Sequence, residues 1–143
     1  PQNPKTPKPQ NPNSIIMESG YLTEAQQYRA QAEKKMSGGG GGFLGKLFGG
    51  KSKEERLDEA KELFEKAANS YKLGDDFFNA GVCLDKCAEI EKLTDGQPSY
   101  YVSEALNCYK KSDPDKYASM IDSAVIGLCR EGKIAQAARL RKD

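Results

Sequence analysis

One run in this chain has the residue types and spacing to bind a nucleotide. Gly45-Lys46-Leu47-Phe48-Gly49-Gly50-Lys51-Ser52 satisfies GxxxxGK[ST], in which backbone amides cradle phosphates, the lysine reaches them and the hydroxyl ligates magnesium. That chemistry also needs a strand leading into the loop and a later strand ending in a metal-binding acid. Here glycines and a helical pattern precede the run and no later strand signal follows, so the match is read as accidental. The cysteines Cys83, Cys87, Cys108 and Cys129 lack the CxxC spacing of zinc or redox sites. Cys83 and Cys87, four apart, share one face of a helix, and the thiols are expected to be reduced and packed in a core. The chain has no histidine. Ser/His and Cys/His nucleophile pairs and His-type metal sites are therefore excluded, and the expectation is no catalytic residue, no metal, no cofactor and no enzyme.

The elements that must position any site are helical. Residues 1–17 are expected to form a disordered tail: the first 14, rich in Pro and Asn, hold five of the seven prolines and no apolar side chain. Residues 18–143 are expected to form a helical domain interrupted by a Gly-rich apolar loop at 37–52. A first helix is predicted over 23–35, with Thr23 and Gln26 in capping-box spacing. Ser52 and Glu55 repeat that spacing, and Leu57, Ala60, Leu63, Phe64, Ala67, Ala68 and Tyr71 then recur at steps of three and four. Gly74 is the predicted stop. A third helix carries Phe77, Ala80, Gly81, Leu84 and Ala88 towards Leu93, and a fourth runs over about 100–111. Asp113-Pro114 supplies a cap and a proline at the first helical position of a fifth. A sixth begins at Lys133 with its apolar repeat still in phase, so the chain is expected to stop inside a helix.

Ala60-x3-Phe64-x2-Ala67 and Phe77-x2-Ala80-Gly81-x2-Leu84 match the two helices of a tetratricopeptide unit. Small residues let helices approach and the aromatic fills the gap. The predicted fold class is all-α, a right-handed array of antiparallel helical hairpins, truncated. Such arrays are binding scaffolds, an inference from fold alone.

The net charge of +1 hides an asymmetry: 8 basic and 3 acidic residues up to Lys53, then 14 and 18 after it. A modestly basic leading end is too weak for nucleic acid but suits an anionic lipid or acidic protein surface. Eight of the 14 glycines fall between Gly38 and Gly50 and flank Phe43, Leu44, Leu47 and Phe48. Two apolar pairs on a glycine-hinged loop form a candidate membrane contact. Their burial in lipid yields roughly 6–12 kcal/mol gross, and ordering the loop removes several kcal/mol of that. The expected result is a weak, reversible anchor, helped by nearby lysines on an anionic leaflet. The alternative is that Phe43 and Phe48 fold back on the first two helices.

Phe43-Leu44-Gly45-Lys46-Leu47-Phe48-Gly49-Gly50, then Ala67-Ala68-Asn69-Ser70-Tyr71-Lys72, Tyr109-Lys110-Lys111-Ser112-Asp113-Pro114 and Gly132-Lys133-Ile134-Ala135-Gln136-Ala137-Ala138-Arg139, occur in this order. Together they resemble the soluble NSF attachment protein family, in its alpha rather than its gamma branch, over about residues 24–143. The resemblance implies an adaptor in SNARE complex disassembly and vesicle-mediated transport, cytoplasmic and peripheral on membranes. Its implied partners are an assembled, syntaxin-type SNARE complex, an anionic membrane surface and, through a carboxyl-terminal part lacking here, the ATPase NSF; no nucleic acid is implied. Carried over by position, Phe43, Leu44, Leu47 and Phe48 are membrane contacts, and Lys110, Lys111, Lys133 and Arg139 meet the acidic SNARE bundle. Each lysine alone also fits a merely solvated helix face. Asp75-Asp76 stand before Phe77 where the family often has a lysine, which puts one basic contact in doubt. The alternative function is a generic tetratricopeptide-like scaffold that binds peptides.

Overall fold

The computed structural model describes residues 12–37 and 52–142, and among them there are six helices and no strand. They are α1 (Pro12–Met36), α2 (Lys53–Leu73), α3 (Phe77–Leu93), α4 (Ser99–Ser112), α5 (Pro114–Arg130) and α6 (Ile134–Lys142). The extensive packing runs only between consecutive helices, α1 on α2 through to α5 on α6. Links of one to five residues between α2 and α6 force each helix back along its predecessor, which is the hairpin array that the small/large pattern predicts. No described helix is long and apolar enough to cross a membrane.

Local chemistry sets the helix starts. Ser52 Oγ accepts the Glu55 N–H at 3.2 Å and lies 3.2 Å from the Glu55 carboxylate. Asp76 caps α3 through the Asn79 N–H, and Asp113 caps α5 through the Lys116 N–H, with Pro114 in the first turn. The first helix departs from expectation. It begins at Pro12, so the expected tail boundary at 17 falls inside it, and Thr23 is an interior residue rather than a cap. Proline is tolerated in a first helical turn, and no proline follows until Pro98.

Helix ends share one device. After α2 the N–H of Asp75 bonds to Lys72 O at 3.0 Å and that of Asp76 to Tyr71 O at 2.8 Å, the paired bonds of a Schellman motif. After α5 the same bonds run from Gly132 to Cys129 and from Lys133 to Leu128. The left-handed residue is Gly132 (φ 77°) in the second case but Asp75 (φ 66°) in the first. Gly74, the predicted stop, is the C-cap with an ordinary negative φ.

The core follows the predicted apolar face. Ala60, Phe64, Ala67, Ala80, Ala105 and Tyr109 are fully buried in a cluster that reaches from Ala25 to Tyr109. A Cβ on Gly81 would lie 2.7 Å from the Tyr109 ring, so the missing side chain lets that ring lie against α3. Ion pairs cross-link the layer at Lys35–Glu59, Lys61–Glu91 and Lys72–Glu104. Cys83, Cys87 and Cys108 are buried as expected, whereas Cys129 is exposed.

Candidate functional site

The basic positions singled out by sequence divide between two ends of the array. Lys110 and Lys111 occupy the last turn of α4, where their charge complements the helix C-terminus. Lys111 Nζ stands 4.5 Å from the Phe77 ring centre and Lys110 Nζ 5.8 Å from that of Tyr117. Both are exposed, and neither has an acidic partner among the described residues. Lys116, which sequence reasoning missed, joins this end. Its Nζ lies 4.2 Å from the Tyr109 ring, 5.4 Å from that of Phe78 and 3.9 Å from Asp85 Oδ2. Three ammonium groups on four aromatic rings give a cationic surface held in place by cation–π contacts of about 0.5–1 kcal/mol each. The sequence signal was the alternation of Lys and aromatic residues around Asp113-Pro114.

Lys133 sits at the opposite end of α4. Its Nζ donates to Ser99 Oγ at 2.7 Å and pairs with Glu131 at 3.2 Å, and Ser99 Oγ is itself 2.7 Å from Glu131 Oε1. Ser99 and Lys110 are eleven residues apart on one helix, about 17 Å at the α-helical rise. Lys133 is thus tied to its neighbours. Arg139, on α6, is exposed with no described partner. Of the four basic positions marked in the sequence, Lys110, Lys111 and Arg139 are therefore the ones without an acidic partner among the described residues.

Phe43, Leu44, Leu47 and Phe48 lie outside the described residues, as do Gly45–Lys51 of the nucleotide-like run by number 45–51. Its last residue, Ser52, is described. Its hydroxyl is bonded to the Glu55 N–H, with the Glu55 carboxylate beside it, so an acid sits at the helix start where a phosphate would need to be. Burial pushes the thiols of Cys83 (to about 12), Cys87 and Cys108 up, which leaves them protonated and poor nucleophiles. Among the described residues no group of acids and cysteines is placed to hold a metal ion.

The arrangement offers surface charge on a helical scaffold, and comparison with known proteins places that scaffold. The family model described as soluble NSF attachment protein, SNAP, matches residues 23–143. The chain belongs to the soluble NSF attachment protein family. A probable vesicular-fusion protein sec17 homolog of Schizosaccharomyces pombe is 36% identical over 125 residues, covering 85% of this chain and 41% of that protein. The beta-soluble NSF attachment protein of Bos taurus is 30% identical, with 85% and 40% covered. The alpha-soluble NSF attachment protein of Homo sapiens is 29% identical over the same shares. This SNAP-family chain thus spans about 40% of the length of these curated relatives. No solved structure matches it.

Proposed function

We propose that this SNAP-family chain is the SNARE- and membrane-binding part of a non-enzymatic adaptor for SNARE complex disassembly in vesicle-mediated transport. The observation that carries the reading is that three of the basic positions, Lys110, Lys111 and Arg139, are exposed without acidic partners among the described residues on a linear helical array. Long cationic side chains on a stiff scaffold attract an acidic four-helix bundle in a salt-sensitive, sequence-tolerant way. The apolar residues Phe43, Leu44, Leu47 and Phe48 supply the membrane contact, and weak insertion of four side chains makes attachment reversible. On this reading, recruitment of the ATPase NSF belongs to the longer members of the family, whose length this chain spans to about 40%.

A pull-down with assembled and with unassembled syntaxin-type SNAREs tests the first contact. The assembled complex is recovered preferentially, and Lys110→Glu with Arg139→Glu reduces recovery about tenfold; equal recovery of both SNARE forms sinks the assignment. Flotation on liposomes with anionic lipid tests the second. Phe43→Ser with Phe48→Ser abolishes co-flotation, and unchanged flotation removes the membrane role.

A further inference from the structure

A groove of about 330 Å³ runs between α3 and α5 with the first turns of α4 as its base. Ala88, Val102, Met120, Ala124 and Leu128 give it an apolar floor, and Ser103 and Ser123 add hydroxyls with no described partner. Its charges are unequally satisfied. Each lining acid is already engaged: Asp85 with Tyr109 and Lys116, Glu89 with Lys86, Glu131 with Lys133 and Ser99. Lys92 lines the groove and feels the Asp85 carboxylate at a distance, and Arg130 lines the pocket that adjoins it; neither forms an ion pair among the described residues. They stand in the last turns of α3 and α5, and with Pro98 and the Lys133-paired Glu131 they line the pocket that continues the groove at this end. Pro98 is the N-cap of α4, and no side chain caps that helix. With Glu131 already neutralised by Lys133, an uncapped helix N-terminus and two cations without an ion pair favour an anion at this end.

We propose that this groove is a docking site for a short extended peptide segment of a partner protein, with aliphatic side chains followed by carboxylates. The aliphatic groups lie on the Ala88–Leu128 floor, the hydroxyls of Ser103 and Ser123 meet the peptide main chain, and the carboxylates sit between Lys92 and Arg130. From Met120 to Arg130 the groove follows α5 for about 15 Å, room for about four extended residues at about 3.3 Å each. The cations used are not those assigned to the SNARE bundle, so the site stands independently of the adaptor reading.

The test uses fluorescence anisotropy with the peptide Gly-Ser-Leu-Val-Glu-Asp, labelled with fluorescein, and the full 143-residue chain. Saturable binding is expected, weakened about tenfold or more by Lys92→Glu with Arg130→Glu, and likewise when the peptide acids become amides and its C-terminus is amidated. Ser123→Trp, at an exposed position, fills the groove and abolishes binding while far-ultraviolet circular dichroism stays that of the parent chain. Absence of saturable binding, equal affinity for the acidic and amide peptides, or full binding by the folded Ser123→Trp variant overturns the proposal.

Discussion

The hydroxyl of Tyr109 donates to Asp85 Oδ2 at 2.6 Å, joining α4 to α3 across the point where Gly81 lets the ring approach. Tyr109 is wholly buried, whereas the Asp85 carboxylate keeps about a third of its surface in water, 29%. Lys116, on α5, reaches both groups, so one polar cluster ties three successive helices. Tyr109→Phe preserves the packing and removes this single bond. A hydrogen bond to a charged group contributes about 1.5–3 kcal/mol, and rehydration of Asp85 keeps the loss near the lower value. Urea unfolding reads it as a lower midpoint with an unchanged slope; an unchanged midpoint means that the bond contributes nothing net.

Burial raises the Asp85 carboxyl above its ordinary value, against the opposing pull of Tyr109 and Lys116. The folded chain therefore binds this proton more readily than the unfolded chain does. Its contribution to stability is fully present below the unfolded value, about pH 4, and is lost as pH rises through the folded value. Asp85→Asn removes the titration and retains an acceptor for Tyr109. Unfolding at pH 7 and at pH 4 is expected to move the stability difference in favour of the parent chain as pH falls. Parallel curves for the two proteins contradict this.

The same turn after α2 and after α5 places aspartate in the left-handed region at one and glycine at the other. A side chain at positive φ costs about 1–2 kcal/mol, partly relieved for Asp. Asp75→Gly removes that strain and, after the greater entropy of glycine in the unfolded chain is deducted, is expected to stabilise by about 0.5 kcal/mol. Gly132→Ala is expected to destabilise by about 1 kcal/mol, since its Cβ meets no neighbour and only the backbone is strained. Thermal midpoints shifting in opposite directions support the paired assignment; shifts of the same sign oppose it.

What could be read from sequence was what neighbouring residues decide among themselves. Ser52 with Glu55 and Asp113 with Pro114 set helix starts through side chains within three residues, and the Ala60, Phe64 and Ala67 spacing already described the buried face. The start of α1 escaped because a proline-rich composition argues for disorder while Pro12 itself is compatible with a first helical turn. Lys133 was grouped with Lys110 by its position in the family resemblance. Its involvement with Ser99 depends on α5 folding back along α4, which no local pattern reports. The groove with Lys92 and Arg130 is likewise made by two helices that are not consecutive, so neither cation was marked in the sequence.

The contrast between Lys133 and Arg139 separates structure from binding. Lys133 is three-quarters buried against a Glu131 carboxylate that is itself 16% exposed, so Lys133→Glu puts two like charges together in a partly dry corner and frees Ser99. A loss of about 2–3 kcal/mol is expected, below the 3–5 typical of a fully buried pair. Arg139→Glu, at an exposed position without a described partner, is expected to stay within about 0.5 kcal/mol of the parent. Guanidinium unfolding of the two single variants checks both values. If Lys133→Glu unfolds like the parent, its bond to Ser99 carries no stability and the residue is free to serve a partner. If it unfolds early, reduced SNARE recovery by that variant measures the corner between α4 and the α5–α6 link, and Arg139→Glu is the substitution that measures the surface.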